Sequence, residues 1–115
     1  MREKVIGVLR SMGVTANYQG YPIIIYACEL ILEDETRLFR VMRDLYPDVA
    51  KRCNCQVDHV ERNVRTIISR IWALQRKRLI EIAGCELEYP PTVSEFLDYI
   101  TTYIQRSEEG LVTTK

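Results

Sequence analysis

The apolar residues of this sequence recur at the spacing of an α-helix, and no other feature constrains the fold as much. Between residues 58 and 74 they form one stripe at intervals of three and four: Val60, Val64, Ile67, Ile68 and Ile71. A similar stripe runs through residues 2–12, and the β-branched stretches follow the same period. Because a strand would alternate with a period of two, the pattern predicts an all-α protein, a bundle of about six helices.

Glycine and proline residues mark the ends of the first predicted helices. Gly13 ends the first helix, and Pro22 can occupy the first turn of a second, which reaches about Glu33. A third helix is predicted from Asp34 or Thr36 onward. Its apolar side would consist of Leu38, Phe39, Val41, Met42 and Leu45.

Pro47 then predicts either a kink or a new helix that ends near Cys53, because a proline disfavours helix at the residue before it. A long amphipathic helix follows over about 58–74, and Asp58 is its predicted N-cap.

The rest of the sequence predicts two more helices. One is short and covers residues 77–83, and the last begins at a cap formed by Thr92 or Ser94. We therefore expect a single helical domain over residues 1–107, followed by a flexible tail over 108–115.

The segment over about 45–74 has the residue spacing of a helix-turn-helix. Ala50 supplies a small residue where two helices cross, and Asn54, four positions later, tolerates the left-handed backbone of a tight turn. Val60 and Val64 supply the branched apolar residues that anchor the second helix. A complete unit of this kind places its second helix in the major groove of DNA.

The face opposite the apolar stripe predicts how this second helix would read DNA. Arg62 points away from the core, and Glu61 and His59 lie at the two edges of the exposed face. Arginine bonds guanine bidentately, and glutamate accepts a hydrogen bond from cytosine. The residues predicted to read bases are Asp58, His59, Glu61, Arg62 and Thr66. The residues predicted to contact the DNA backbone are Lys51, Arg52, Asn54, Arg65, Ser69 and Arg70.

Charge is distributed unevenly along the chain, although the formal net charge is zero. Residues 37–78 carry eleven basic and four acidic side chains, a net charge of +7, and the rest carries five basic and twelve acidic ones, a net charge of −7. Such a bipolar chain places a positive field over part of its surface, which favours double-stranded DNA as a partner. Solvated surfaces carry similar charges, so this pattern supports DNA binding only together with the helix-turn-helix.

Other classes of function lack the residues that they need. Cys53, Cys55 and His59 are not followed by the second ligand pair of a zinc site, so we expect no metal and no cofactor. All four cysteines, including Cys28 and Cys85, are interpreted as free and mostly buried thiols. The sequence has one histidine and no phosphate-binding glycine loop or hydrolase motif, which argues against an enzyme. No apolar run is long enough for a membrane span and no signal peptide is visible, which predicts a cytoplasmic protein.

Five strings follow one another between residues 6 and 106. They are Gly13-Val14, Gly20-Tyr21, Leu45-Tyr-Pro-Asp-Val-Ala-Lys51, Val60-Glu-Arg62 and Pro91-Thr-Val-Ser-Glu-Phe96, with Asn54, Arg65 and Trp72 among them. Together they resemble the C-terminal effector domain of the stage 0 sporulation protein A family, the sporulation initiation response regulators. The resemblance implies a helical bundle and a transcription factor that binds short DNA boxes, often in tandem.

The resemblance also implies roles for particular residues. Glu61 and Arg62 would face bases, and Arg65 would lie at the DNA surface. The last helix, from about Ser94, would take part in contacts between protomers and in activation. A homodimer or tandem protomers on DNA, and a contact with RNA polymerase, are therefore expected.

Some positions depart from the family pattern. His59 stands where a basic residue is usual, Thr66 stands where a histidine is common, and the second helix lacks its usual arginine. The receiver domain of the family is absent from this sequence, which is either one domain of a longer protein or a stand-alone relative.

A protein-interaction module is the alternative function. Such a domain would regulate a full-length relative by mixed dimerisation without reading DNA. Its surface would consist of acidic side chains such as Glu95 and Asp98 and of Tyr99 and Tyr103, which we expect to be exposed. Arg62 and its neighbours argue against this function, because binding a protein does not require them.

Overall fold

Helices account for all the regular secondary structure in residues 1–108, the part of the chain that the computed structural model describes. Seven of them are α-helices: α1 (Arg2–Ser11), α2 (Gly20–Glu33), α3 (Val41–Asp44), α4 (Tyr46–Cys53), α5 (Val57–Leu74), α6 (Arg76–Ala83) and α7 (Val93–Glu108). A 3₁₀ helix, Glu35–Arg40, precedes α3. The all-α prediction is confirmed, and α3 accounts for the difference from about six helices. Within these residues, no helix is long and apolar enough to cross a membrane.

Helix α2 lies at the centre of the core, as its apolar surface on nearly all sides predicts. It packs against α1, α4, α5, α7 and the 3₁₀ helix. Its buried side chains include Ile24, Cys28 and Ile31. At its first residue the backbone approaches α5 so closely that a Cβ on Gly20 would lie 2.8 Å from the carbonyl oxygen of Asn63. A glycine is therefore required where α2 meets α5.

Several predicted helix boundaries are confirmed by the backbone. Gly84 follows α6 with a φ of 75°, which is the left-handed conformation that glycine adopts without strain. Pro22 and Pro47 lie in the first turns of α2 and α4, where a missing N–H costs nothing. At the start of α7, the Thr92 hydroxyl accepts from Glu95 N at 3.2 Å, and the Glu95 carboxylate accepts from Thr92 N at 2.9 Å. This is a capping box.

The prediction of one continuous helix from residue 34 or 36 to 45 is wrong. The segment is a 3₁₀ helix followed by the single turn of α3, because the backbone of Arg40 leaves the helical region (φ −143°, ψ 68°). A period of 3.6 does not apply to a 3₁₀ helix, which has three residues per turn. Leu45 is buried as predicted, but Phe39 is 81% exposed and Met42 is 63% exposed.

Four smaller predictions are also corrected. The N-cap of α5 is Gln56, and Asp58 lies in the first turn of the helix instead. Cys85 is exposed, because it lies in the loop that follows α6. Tyr103 is buried and Tyr99 is half-buried, because both lie on α7 where it packs on the bundle. The predicted flexible tail begins at Glu108, which is the last residue of α7; residues 109–115 lie outside the described part of the chain.

Candidate nucleic-acid interface

The turn between α4 and α5 sets the position of the candidate interface. Asn54 adopts the left-handed conformation at the end of α4 (φ 55°, ψ 51°), as its place in the sequence predicts. Cys55 N donates to the carbonyl of Ala50 at 2.9 Å, and Asn54 N donates to that of Lys51 at 3.2 Å. This pair of bonds is a Schellman motif, which satisfies the last carbonyls of α4 and redirects the chain within three residues into α5.

Helix α5 buries one face and exposes the other, as predicted. Its apolar stripe of Val60, Val64, Ile67, Ile68 and Ile71 is buried. The exposed residues on the opposite side are Asp58, His59, Arg62, Arg65, Thr66, Ser69 and Arg70. Seven of the eight α5 residues predicted to touch DNA therefore share one solvent-exposed surface. We call it the α5 face.

The eighth residue, Glu61, is partly buried at the edge of the α5 face and pairs with Arg65 one turn along the helix. Its neighbour across the helix boundary is the buried side chain of Tyr46 on α4. Burial raises the pKa of Tyr46 to about 12, and the nearby Glu61 carboxylate adds to the shift while Arg65 opposes it. The phenol therefore stays protonated at neutral pH. The Glu61 carboxylate therefore lies near a neutral phenol and is paired with the Arg65 guanidinium.

Beside this ion pair lies a shallow concavity lined by Met42, Tyr46, Val57, Asp58, Glu61, Arg62 and Arg65. It joins the α5 face to the exposed side chain of Met42 on α3. An apolar surface beside charged groups that are predicted to read bases would suit DNA, because the thymine methyl is an apolar group in the major groove. The sequence does not indicate Met42 as a candidate, because the period of the predicted third helix places it in the core.

Two polar side chains on α5 bond to the backbone of their own helix. The Thr66 hydroxyl donates to the carbonyl of Arg62 at 3.0 Å, and the Asn63 amide donates to that of His59 at 2.9 Å. Thr66 therefore keeps its methyl group and an oxygen lone pair for a partner. Within the described residues, Arg62 forms no ion pair, so its guanidinium is available to a ligand.

The two predicted DNA-backbone residues on α4 lie in a different environment. Lys51 and Arg52 line a concavity between α2 and α4 together with Glu29 and Glu33. The guanidinium carbon of Arg52 lies 5.1 Å from the centroid of the Tyr26 ring on α2, a cation–π distance. Both side chains are exposed, and the acidic side chains that line this concavity with them are Glu29 and Glu33 of α2 and Asp48 of α4.

Arg37 contributes to the predicted positive segment but has a structural role. Its guanidinium donates to the carbonyl of Asp44 at 2.6 Å and to the carboxylate of Asp48 at 2.7 Å. These bonds tie the 3₁₀ helix to the start of α4. The partners lie in α3 and α4, so a period that is calculated along one helix does not relate them to Arg37.

No cluster of three or more His, Cys, Asp and Glu side chains within residues 1–108 is arranged to hold a metal ion. Cys53 and Cys55 are half-buried beside the core, and burial raises the pKa of the Cys53 thiol. Cys28 is fully buried, and burial raises its pKa as well. A high thiol pKa disfavours the thiolate, which is the form that binds metals.

Comparison with protein families gives a match over most of the chain. A sequence model of the family described as "Sporulation initiation factor Spo0A C terminal" matches residues 5–104. The matched range begins in α1 and ends in α7, so it contains α4, the turn and α5. The resemblance noted from the sequence strings is confirmed: this chain belongs to the family of the C-terminal domain of the sporulation initiation factor Spo0A.

Proposed function

We propose that this DNA-binding regulator recognises a specific duplex sequence with a helix-turn-helix formed by α4 and α5. The observation that carries the proposal is the α5 face, on which seven side chains predicted to touch DNA stand together on one exposed surface. Arg62 stands at its centre without an acidic partner among the described residues. A free guanidinium at that position suits the O6 and N7 atoms of guanine.

The residues divide into two roles under this proposal. Arg62, Glu61, Asp58, His59 and Thr66 read base edges. Arg65, Ser69, Arg70, Lys51, Arg52 and Asn54 contact the sugar-phosphate backbone and fix the register. Regulation of transcription follows from family membership, and homodimers or tandem protomers on DNA and a contact with RNA polymerase belong to the proposal. The interaction module without DNA binding gains no support from the two tyrosines that were expected to be exposed, because Tyr103 is buried and Tyr99 is half-buried.

Fluorescence anisotropy tests the proposal directly. A bound duplex is first selected from a randomised pool and then compared with a scrambled duplex at two salt concentrations. Arg62→Ala should weaken binding to the selected duplex by about 1–3 kcal/mol, the usual value of a bidentate base contact, and should spare binding to the scrambled one. Arg106→Ala is the matched control, since Arg106 is an exposed arginine on α7.

Either of two results would reject the proposal. If the wild-type protein binds no duplex even at low salt, the chain does not bind DNA at all. If Arg62→Ala weakens both duplexes equally, Arg62 contacts phosphate and the bases are read elsewhere.

A further inference from the structure

Three exposed cations lie near the end of α5 and the start of α6, and the proposed function leaves two of them without a role. They are Arg70, Arg76 and Lys77, and we call this set of three side chains the α5–α6 junction. Within residues 1–108 none of them has a carboxylate within 4.0 Å. By contrast, an acidic partner is present for Arg2, Arg37, Arg43, Arg65 and Arg78. The junction is therefore a local excess of positive charge.

Two of these cations are held in place by aromatic rings. The guanidinium carbon of Arg76 lies 4.1 Å from the centroid of the Trp72 ring, and its Nε donates to the carbonyl of Trp72 at 3.2 Å. The guanidinium carbon of Arg70 lies 5.8 Å from the centroid of the Tyr18 ring. Stacking uses the face of a guanidinium, so the Nη groups of Arg76 and the edge of Arg70 remain available to an anion such as phosphate.

The distance from the α5 face decides which anion the junction can reach. Arg70 follows Arg62 by eight residues, which is about 12 Å along a helix with a rise of about 1.5 Å per residue. The major groove is also about 12 Å wide. If the turn that carries Arg62 lies in the groove, the C-terminal end of α5 reaches the groove edge, where phosphates line the duplex.

We infer that the α5–α6 junction is a second DNA-contact surface, which binds the sugar-phosphate backbone flanking the sequence that the α5 face reads. Arg76 and Lys77 extend the contact beyond Arg70 onto α6. The partner is the same duplex, and the ligand is a pair of phosphates outside the selected sequence. This inference rests on the proposed function, since it uses the docking of α5 in the major groove.

The test compares two duplexes that contain the same selected sequence. One duplex ends at the edges of that sequence, and the other extends by about 10 base pairs, one helical turn, on each side. Anisotropy titrations over a range of salt concentrations are made with the wild type and with Arg76→Gln/Lys77→Gln. Arg106→Gln is the matched control: Arg106 is an exposed arginine near Gly84, at the opposite end of α6.

We expect the wild type to bind the long duplex more tightly than the short one, and the double variant to lose that gain. Its slope of log K against log salt should be shallower by about 0.9 per lost phosphate contact, about 1.8 in total. Its preference for the selected over the scrambled sequence should not change, because phosphates carry no sequence information. Arg106→Gln should behave as the wild type.

The loss of the Arg76 contact with Trp72 could disturb α5, so Lys77→Gln alone provides an independent variant. Lys77 makes no side-chain hydrogen bond within the described residues. Lys77→Gln should therefore make the slope of log K against log salt shallower by about 0.9, the value for one phosphate contact. The inference is overturned if both variants keep the wild-type slope and the gain from the longer duplex while the wild type binds selectively. If the wild type shows no selective binding, the proposed function fails first and this inference fails with it.

Discussion

The ion pair between Glu61 and Arg65 makes the DNA contacts proposed for these two residues depend on each other. A lone carboxylate facing DNA would be repelled by phosphates, and the cation one turn away offsets that charge. The same pair restricts the Glu61 side chain beside the buried ring of Tyr46. Arg65 can therefore position Glu61 for a cytosine in addition to its predicted backbone contact.

A double-mutant cycle on DNA affinity measures this positioning. We expect Arg65→Ala to reduce discrimination at one cytosine of the selected duplex in the wild type and to have no such effect in Glu61→Gln. The coupling should be about 0.5–3 kcal/mol, the usual range for residues in contact. Arg65→Lys, which keeps the charge, should retain part of the discrimination. Additive effects would instead mean that Arg65 contacts only phosphate.

Gly20 and Gly7 both lie in helices, but we expect substitution by alanine to change the stability of the protein in opposite directions at the two positions. A Cβ on Gly20 would meet Ile67 Cδ1 at 2.7 Å and the backbone oxygen of Asn63 at 2.8 Å, whereas a Cβ on Gly7 would meet nothing within 4 Å. Gly20→Ala should destabilise the protein by about 1–3 kcal/mol, because a backbone atom cannot move aside easily. Gly7→Ala in α1 should stabilise it by about 0.5–1 kcal/mol. Urea unfolding measures both, and equal effects would contradict this account of the contact between α2 and α5.

At the scale of elements, the α4–α5 turn connects folding to the proposed function. The Schellman bonds at Asn54 fix the direction in which α5 leaves α4, so the exposure of the α5 face depends on them. The N-terminus of α5 has no comparable side-chain cap, since Gln56 makes no capping hydrogen bond. Asp58, in the first turn, instead provides a negative charge, which interacts favourably with the positive end of the helix dipole.

Substitutions at Asn54 separate its role in the turn from its predicted contact with DNA. Asn54→Ala keeps a Cβ in the left-handed region but removes the short polar side chain that lets asparagine tolerate it, and should cost about 1–2 kcal/mol of stability. Asn54→Gly removes the same side chain without that strain, so the free energy of unfolding should change by only a few tenths of a kcal/mol. If Asn54 also binds a phosphate, Asn54→Gly should weaken binding to all duplexes equally. Unchanged affinity in a stable Asn54→Gly variant would limit Asn54 to the turn.

At the scale of the whole molecule, one core joins α5, the proposed DNA-reading helix, to every other α-helix except α3. The buried cluster includes side chains from α1, α2, α4, α5, α6 and α7, together with Val14 and Leu45 between helices. Helix α7 packs against α1, α2, α5 and α6. We therefore expect α5 to unfold together with the rest of the bundle and not as a separate unit.

The two phenylalanines of the chain test this expectation. Phe96 is fully buried on α7, and Phe39 is 81% exposed. Phe96→Ala should cost about 3–5 kcal/mol, as large cavities in cores do, and Phe39→Ala should cost far less. Denaturation is followed by circular dichroism for all helices and by fluorescence of Trp72, the one tryptophan, which reports on α5. Both midpoints should fall together in Phe96→Ala, and separate midpoints would show that α5 unfolds independently.

The sequence by itself determined the parts of this protein that depend on local periodicity and backbone chemistry. The stripe on α5, the left-handed turn at Asn54 and the cap at Thr92 were predictable because each arises from neighbours within one or two helical turns. The α5 face follows from the same period, because burying one side of a helix exposes the other. Family membership was recognisable for a related reason, since it is carried by strings of residues along the chain.

The tertiary structure alone decided which side chains meet across elements. The exposure of Phe39 on the 3₁₀ helix and of Met42 on α3, and the bonds of Arg37 to Asp44 and Asp48, depend on how separate elements pack. The stacking of Arg52 on Tyr26 brings together residues that are 26 positions apart. A sequence pattern with a period of 3.6 residues describes one helix at a time, and it contains no information about the neighbour against which that helix packs.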